Sequence, residues 1–108
     1  MADRFGALAQ VIPAALTLTT GYTVPAAKRA TVEVVICNRG GAATVRLSHA
    51  VAGAADTGAQ YLLYDFVIPA GETKVTAQIT VTATDVIRVY STTATVAFNI
   101  NGIEEDVS

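Results

Sequence analysis

The stretch Lys74-Val75-Thr76-Ala77-Gln78-Ile79-Thr80-Val81 decides the fold class: nearly every second side chain in it is apolar and those between are polar. A side-chain period of two belongs to a β-strand with one face buried and one face in water. Working outward, the same alternation recurs at Leu16 and Leu18 around Thr17, and at Val32, Val34 and Ile36 against Thr31 and Glu33. It recurs again at Val45 and Leu47 against Thr44 and Arg46, at Ile87 and Val89 against Arg88 and Tyr90, and at Val96, Phe98 and Ile100 against Thr95 and Asn99. Residues 61–68 are apolar on both faces apart from Asp65.

Together these segments predict about seven to eight strands at the spacing of a sandwich or small barrel, with no helical stretch long enough for a crossover between parallel strands. The expected fold is all-β, an antiparallel β-sandwich of Ig-like or jelly-roll-like kind. Turn residues punctuate it at Thr20-Gly21, Pro25-Ala26-Ala27-Lys28, Pro69-Ala70-Gly71-Glu72 and Thr82-Ala83-Thr84-Asp85, and Asn38-Arg39-Gly40-Gly41 reads as a hairpin.

A chain of 108 residues has room for one core, since two halves would each bury too little to be stable. Residues 14–103 form the expected sandwich. Residues 1–13 carry Phe5, Leu8, Val11 and Ile12 at loosely helical spacing before Pro13, and read as an arm or short helix that covers one end of the sandwich or docks on a neighbour. Residues 104–108 read as a solvated acidic tail.

Composition narrows the partners. The chain is 52% hydrophobic and only 15% charged, with a net charge of −2, so it has no basic field to hold nucleic acid or an anionic membrane. Much of the apolar content is Ala and Val, and the three phenylalanines are Phe5, Phe66 and Phe98, which predicts a thin aliphatic core. So few charges on so apolar a chain favour association with other subunits. Cys37 is the single cysteine, which rules out an internal disulfide and fits a reducing compartment. The first residues lack the basic start and apolar run of a signal peptide, and no stretch approaches the roughly 20 apolar residues of a membrane span.

Residue types that carry chemistry are sparse. His49 is the single histidine and follows Leu47 on the inward face, where a strand-end ring satisfied by a backbone carbonyl is expected. Cys37 falls out of phase with Val32, Val34 and Ile36 and reads as a half-buried small residue. Asp85 and Glu72 sit in turns where they bond local backbone, and Asp65 is expected to pair across strands with Arg88 or Arg46. The glycine pairs precede a strand, not a helix, so they make no phosphate cradle. Tyr22, Tyr61, Tyr64 and Tyr90 are scattered over three segments and read as packing residues. No catalytic residue, cofactor or metal site is expected.

The succession Tyr22-Thr23-Val24-Pro25-Ala26-Ala27-Lys28-Arg29-Ala30, Val35-Ile36-Cys37-Asn38-Arg39-Gly40, Tyr61-Leu62-Leu63-Tyr64-Asp65, Ile68-Pro69-Ala70-Gly71-Glu72-Thr73 and Asp85-Val86-Ile87-Arg88-Val89-Tyr90 resembles a group of short β-sandwich virion proteins of tailed bacteriophages and prophages. The resemblance covers roughly residues 15–101. In that group the first turn more often reads Pro-Ala-Gly-Lys, and here Ala27 stands at the glycine, in a turn whose type II form wants a positive φ. The resemblance implies a virion location after assembly in the host cytoplasm, and it transfers no active-site residue. Under it, the expectation is a non-enzymatic capsid decoration or cement protein that binds the major capsid protein lattice as a homo-oligomer, most plainly a trimer. Alternatives are a tail, neck or baseplate adaptor, or a module reading host glycan through Tyr61, Tyr64 or Tyr90. The expected contact residues are Phe5, Leu8, Val11 and Ile12 of the arm, Ala52 in the loop of residues 51–60, and Tyr61 and Tyr90.

Overall fold

The computed structural model describes residues 3–107. Nine strands carry the chain: β1 (Arg4–Val11), β2 (Thr19–Thr23), β3 (Lys28–Asn38), β4 (Ala43–Ala50), β5 (Tyr61–Ile68), β6 (Thr73–Val75), β7 (Ile79–Thr82), β8 (Val86–Ser91) and β9 (Val96–Asp106). They form two antiparallel sheets packed as a β-sandwich. One runs β1-β9-β3 with β6 and β7 end to end along the far side of β3, and the other runs β2-β8-β4-β5.

The stretch Lys74 to Val81 is not one even strand. Val35 pairs with Val75 and Val32 with Ile79, so two residues of β3 face three of the partner. That extra residue is a β-bulge, and it reverses the phase of the alternation. Val75 is turned out to solvent, 52% exposed, and Lys74 comes onto the inner side opposite Ile36.

With β6 and β7 counted as one bulged strand, the order of eight strands is that of a jelly roll. Every other connection passes from one sheet to the other, except the β4–β5 link. The expected hairpin at residues 38–41 is therefore an arch between sheets. Its cause is Asn38, whose buried amide donates to the carbonyls of Gly41 at 2.8 Å and Ile68 at 3.0 Å while its Oδ1 accepts from the N–H of Gly40. Bonds that tie the turn to the β5–β6 corner fold it over the sandwich edge. Leu16, expected in a strand, lies in a turn at φ 60° and is exposed, and β2 begins only at Thr19.

The core matches the thin aliphatic expectation. Phe98 is its one phenylalanine, surrounded by Ile36, Leu47, Ile68, Ile87, Ile100 and a shell of valines, and Tyr22 is the other aromatic ring buried there.

Both ends belong to the sandwich. The expected arm is β1, paired antiparallel with β9 from Arg4↔Glu104 to Val11↔Phe98. A bulge around Leu8 inserts one residue, and this produced the helix-like spacing of Leu8 and Val11 in the sequence. The expected solvated tail is also corrected: β9 runs to Asp106, and Glu104 is buried. Its carboxylate accepts from Arg4 Nε at 3.1 Å and Nη2 at 3.0 Å and from the Tyr22 hydroxyl, which links β9 to β1 and β2. Residues 1, 2 and 108 of those two segments lie outside the described residues.

Two backbone positions set opposite expectations. A Cβ on Gly102 would lie 2.0 Å from the carbonyl oxygen of Thr31, so Gly102→Ala must force β9 from β3 and should cost about 1–3 kcal/mol. Ala27 sits at φ 61°, a left-handed conformation that disfavours a Cβ, and Ala27→Gly should stabilise by about 0.5–1 kcal/mol. Urea unfolding of the two variants measures both, and equal signs would refute this account of the backbone.

Candidate interaction surface

The outer face of the β2-β8-β4-β5 sheet carries a cluster built by a bulge. Val45 pairs with Phe66 and Leu47 with Leu63, which leaves Tyr64 and Asp65 both opposite Arg46. Asp65 takes φ 51° there, and two successive side chains face the same way. Arg46 uses both: its Nε lies 2.6 Å from Asp65 Oδ1, and its guanidinium stands 4.3 Å from the centre of the Tyr64 ring. On its other side Tyr90, the cross-strand partner of Arg46 on β8, brings its ring centre to 4.7 Å. The cation is thus held between two aromatic rings and a carboxylate. Tyr61 meets Tyr64 edge-on with centroids 5.0 Å apart, and its hydroxyl donates to Asp56 Oδ2 at 3.0 Å. Burial first, then the Asp56 hydrogen bond, pushes the Tyr61 phenol above its ordinary range.

Asp56 belongs to the loop of residues 51–60, which caps one end of this sheet. Its residues up to 59 are exposed, and polar bonds hold it down. Arg88 Nη2 reaches the Gly53 carbonyl at 3.4 Å, and the Ala52 N–H, at φ 54°, donates to Asp85 Oδ1 at 2.8 Å. Along the cross-strand row beneath it, Ser48 faces Arg88 on one side and Tyr61 on the other, and the buried atoms Ser48 Oγ, Arg88 Nη1 and Gln60 Oε1 find no hydrogen-bond partner.

Asp85 anchors the loop from below. It accepts from the N–H groups of Ala52 and Thr82, and its Oδ2 lies 2.8 Å from His49 Nε2. Histidine at this strand end is satisfied by that carboxylate and not by the expected backbone carbonyl. Burial pushes the Asp85 carboxyl up, but the bonds from Ala52, Thr82 and His49 together outweigh it and hold the carboxyl below its usual range.

Of the contact residues read from the sequence, Ala52, Tyr61 and Tyr90 fall on this sheet or its capping loop. The four from the arm lie elsewhere. Leu8 is buried in the core, Val11 packs against it, and Phe5 and Ile12 are exposed on or just after β1. The expected Asp65 pairing is made with Arg46, and Arg88 is used instead to hold the loop. Arg46 as the centre of the cluster had no signal in the sequence beyond the acid interrupting an apolar strand.

A second surface lies at the side of the sandwich where β5 and the β6–β7 strand fail to close over each other. A groove of about 280 Å³ opens there, lined by Leu62, Leu63, Lys74, Ala77 and Ile79 among others. Lys74 Nζ covers the half-exposed Phe66 ring at 5.1 Å.

Fold and surfaces define a jelly-roll β-sandwich with an arginine–tyrosine face and one open side. No protein-family model, no curated protein and no solved structure matches this chain.

The ionic contacts predict the acid limb of stability. Arg4 first, opposed by burial and joined by Tyr22, holds the Glu104 carboxyl below its ordinary value, as the bonds just described do for Asp85. A depressed folded-state pKa stabilises the protein above the unfolded value near 4 and loses that contribution as pH falls through the folded value. Stability should therefore be level around neutrality and drop below about pH 4. Glu104→Gln and Asp85→Asn should each flatten that drop in thermal melts between pH 2 and 7, and an unchanged slope in both would show that neither carboxylate carries it.

Proposed function

We propose that this chain is a structural protein of a tailed-phage virion, a capsid decoration or cement protein that binds the major capsid lattice through the Arg46–Tyr64–Tyr90 face and the adjoining loop of residues 51–60. The observation that carries the reading is that face: tyrosine and arginine are the residue types that concentrate binding energy at protein interfaces, and here three elements converge to hold them ready-ordered. Ordering the side chains before binding lowers the entropy lost on association. Many such contacts repeated over a symmetric shell sum to firm attachment even when each is weak. Support also comes from the sequence resemblance, and by analogy from the jelly roll, a fold used in viral capsids and lectins.

The same cluster weighs against host-glycan stacking. The Arg46 guanidinium already occupies one face of the Tyr64 ring and one face of the Tyr90 ring, which leaves fewer aromatic faces for a sugar ring to stack on.

Purified particles test the reading. Copy number by quantitative gel should reach hundreds per virion, and Arg46→Glu or Tyr64→Ala should cut occupancy at least about tenfold while the purified variants keep their circular dichroism melt. A count near a dozen would assign the chain to the tail or neck, and unchanged occupancy in both variants would move the contact off this face.

A further inference from the structure

The open side of the sandwich and the exposed phenylalanine at its opposite edge are complementary. The groove between β5 and the β6–β7 strand is walled by Leu62, Leu63 and Ile79, and Lys74 is the charged residue that lines it. Lys74 forms no ion pair among the described residues, and its ammonium rests on Phe66. The occupant this groove fits is an apolar side chain with an acid close by.

This chain carries that combination itself. Phe5, 73% exposed, is the most exposed large apolar side chain among the described residues, and it pairs across β1 and β9 with Ile103, also exposed. Asp3 lies two residues before Phe5, next to the start of β1, where its Oδ1 accepts from the Asp106 N–H at 3.1 Å and so holds an acid beside the exposed ring. β1 and the β6–β7 strand are the two outer edges of the same sheet, so the knob and the groove sit on opposite sides of one subunit.

Continuation of a sheet from one copy to the next is disfavoured at the open side. β5 departs from even register twice, the β6–β7 strand carries its own bulge, and Lys74 points inward, and these are the devices that blunt a strand edge against pairing. Side-chain insertion escapes that block. A phenylalanine buries about 150–250 Å² when enclosed, so Phe5 with Ile103 against the groove walls would bury on the order of 500 Å² of apolar surface, the centre of an interface of standard size.

We propose that the chain self-associates head to tail, with Phe5 of one copy seated in the groove at Leu62, Leu63 and Ile79 of the next and Asp3 facing Lys74. Head-to-tail contacts between identical subunits close into a ring where the rotation per copy allows and run on as an open filament where it does not, and the smallest such ring is the proposed trimer. The contact gives the oligomer of the proposed virion role a specific geometry, but it is read on purified protein, so its failure and the failure of particle attachment are separate results.

Analytical ultracentrifugation at tens of micromolar tests it, with a trimer expected near three times the 11.1 kDa chain mass. Phe5→Ser removes the knob and Leu62→Ser with Lys74→Glu removes the groove, and each should sediment as a folded monomer, since all three positions lie at the surface. Mixed one to one, they should form a dimer and no larger species, because one intact knob meets one intact groove and the ring cannot close. Asp3→Lys should restore association to Lys74→Glu alone. A monomeric wild-type protein, a mixture that stays monomeric, or a trimer that survives Phe5→Ser would each overturn the proposal.

Discussion

The ladder between β3 and β9 is the contact on which the other elements depend. The two strands pair along all eleven residues of β3, from Lys28↔Asp106 to Asn38↔Val96, and together they form the middle of one sheet. Their inward side chains, Val32, Val34 and Ile36 with Phe98 and Ile100, supply much of the core that the second sheet covers. Residues so far apart in the chain come together only after loop-closure entropy has been overcome, so the ladder has to be well matched along its length. Gly102 is where that match is tightest, with the β3 backbone filling the space of a side chain.

Bulges then decide what each strand presents. One extra residue reverses the side-chain phase beyond it, and three of the chain's bulges do this with different results. At Leu8 it lets the first strand bury a leucine while leaving Phe5 outside. Between β6 and β7 it turns Val75 out and Lys74 in, which keeps the side of the sandwich open. At Tyr64 and Asp65 it delivers an aromatic ring and a carboxylate to the same arginine.

Three of the positive-φ residues lie in the sheet that carries Arg46 or at its capped end. Asp65, Ala52 and Thr84 all adopt positive φ, the first in β5 and the others in the segments that Asp85 ties to the end of the sheet. Conformations of this kind persist where surrounding bonds over-determine them, and they mark surfaces whose shape matters. Here the over-determination is ionic and polar. It keeps the capping loop in place without burying its own side chains, which stay at the surface.

The sequence by itself determined the all-β class, because a period-two pattern in strand after strand requires antiparallel sheet closing over an aliphatic core, as a sandwich or a small barrel. It also carried the pairing of Asp65 with an arginine on a neighbouring strand, since an acid inside an apolar strand needs a counter-charge. Sheet assignment was not legible, because Asn-Arg-Gly-Gly permits a hairpin or an arch equally, and the buried bonds of Asn38 to residues 30 positions away choose the arch. The first strand was not legible for a similar reason: a bulge makes a strand imitate helical spacing, and only pairing with β9 distinguishes the two. The scattered tyrosines became a surface only in three dimensions, since the register of β4 between β5 and β8 brings Tyr64 and Tyr90 to opposite sides of Arg46, and register is a property of paired strands that no single strand contains.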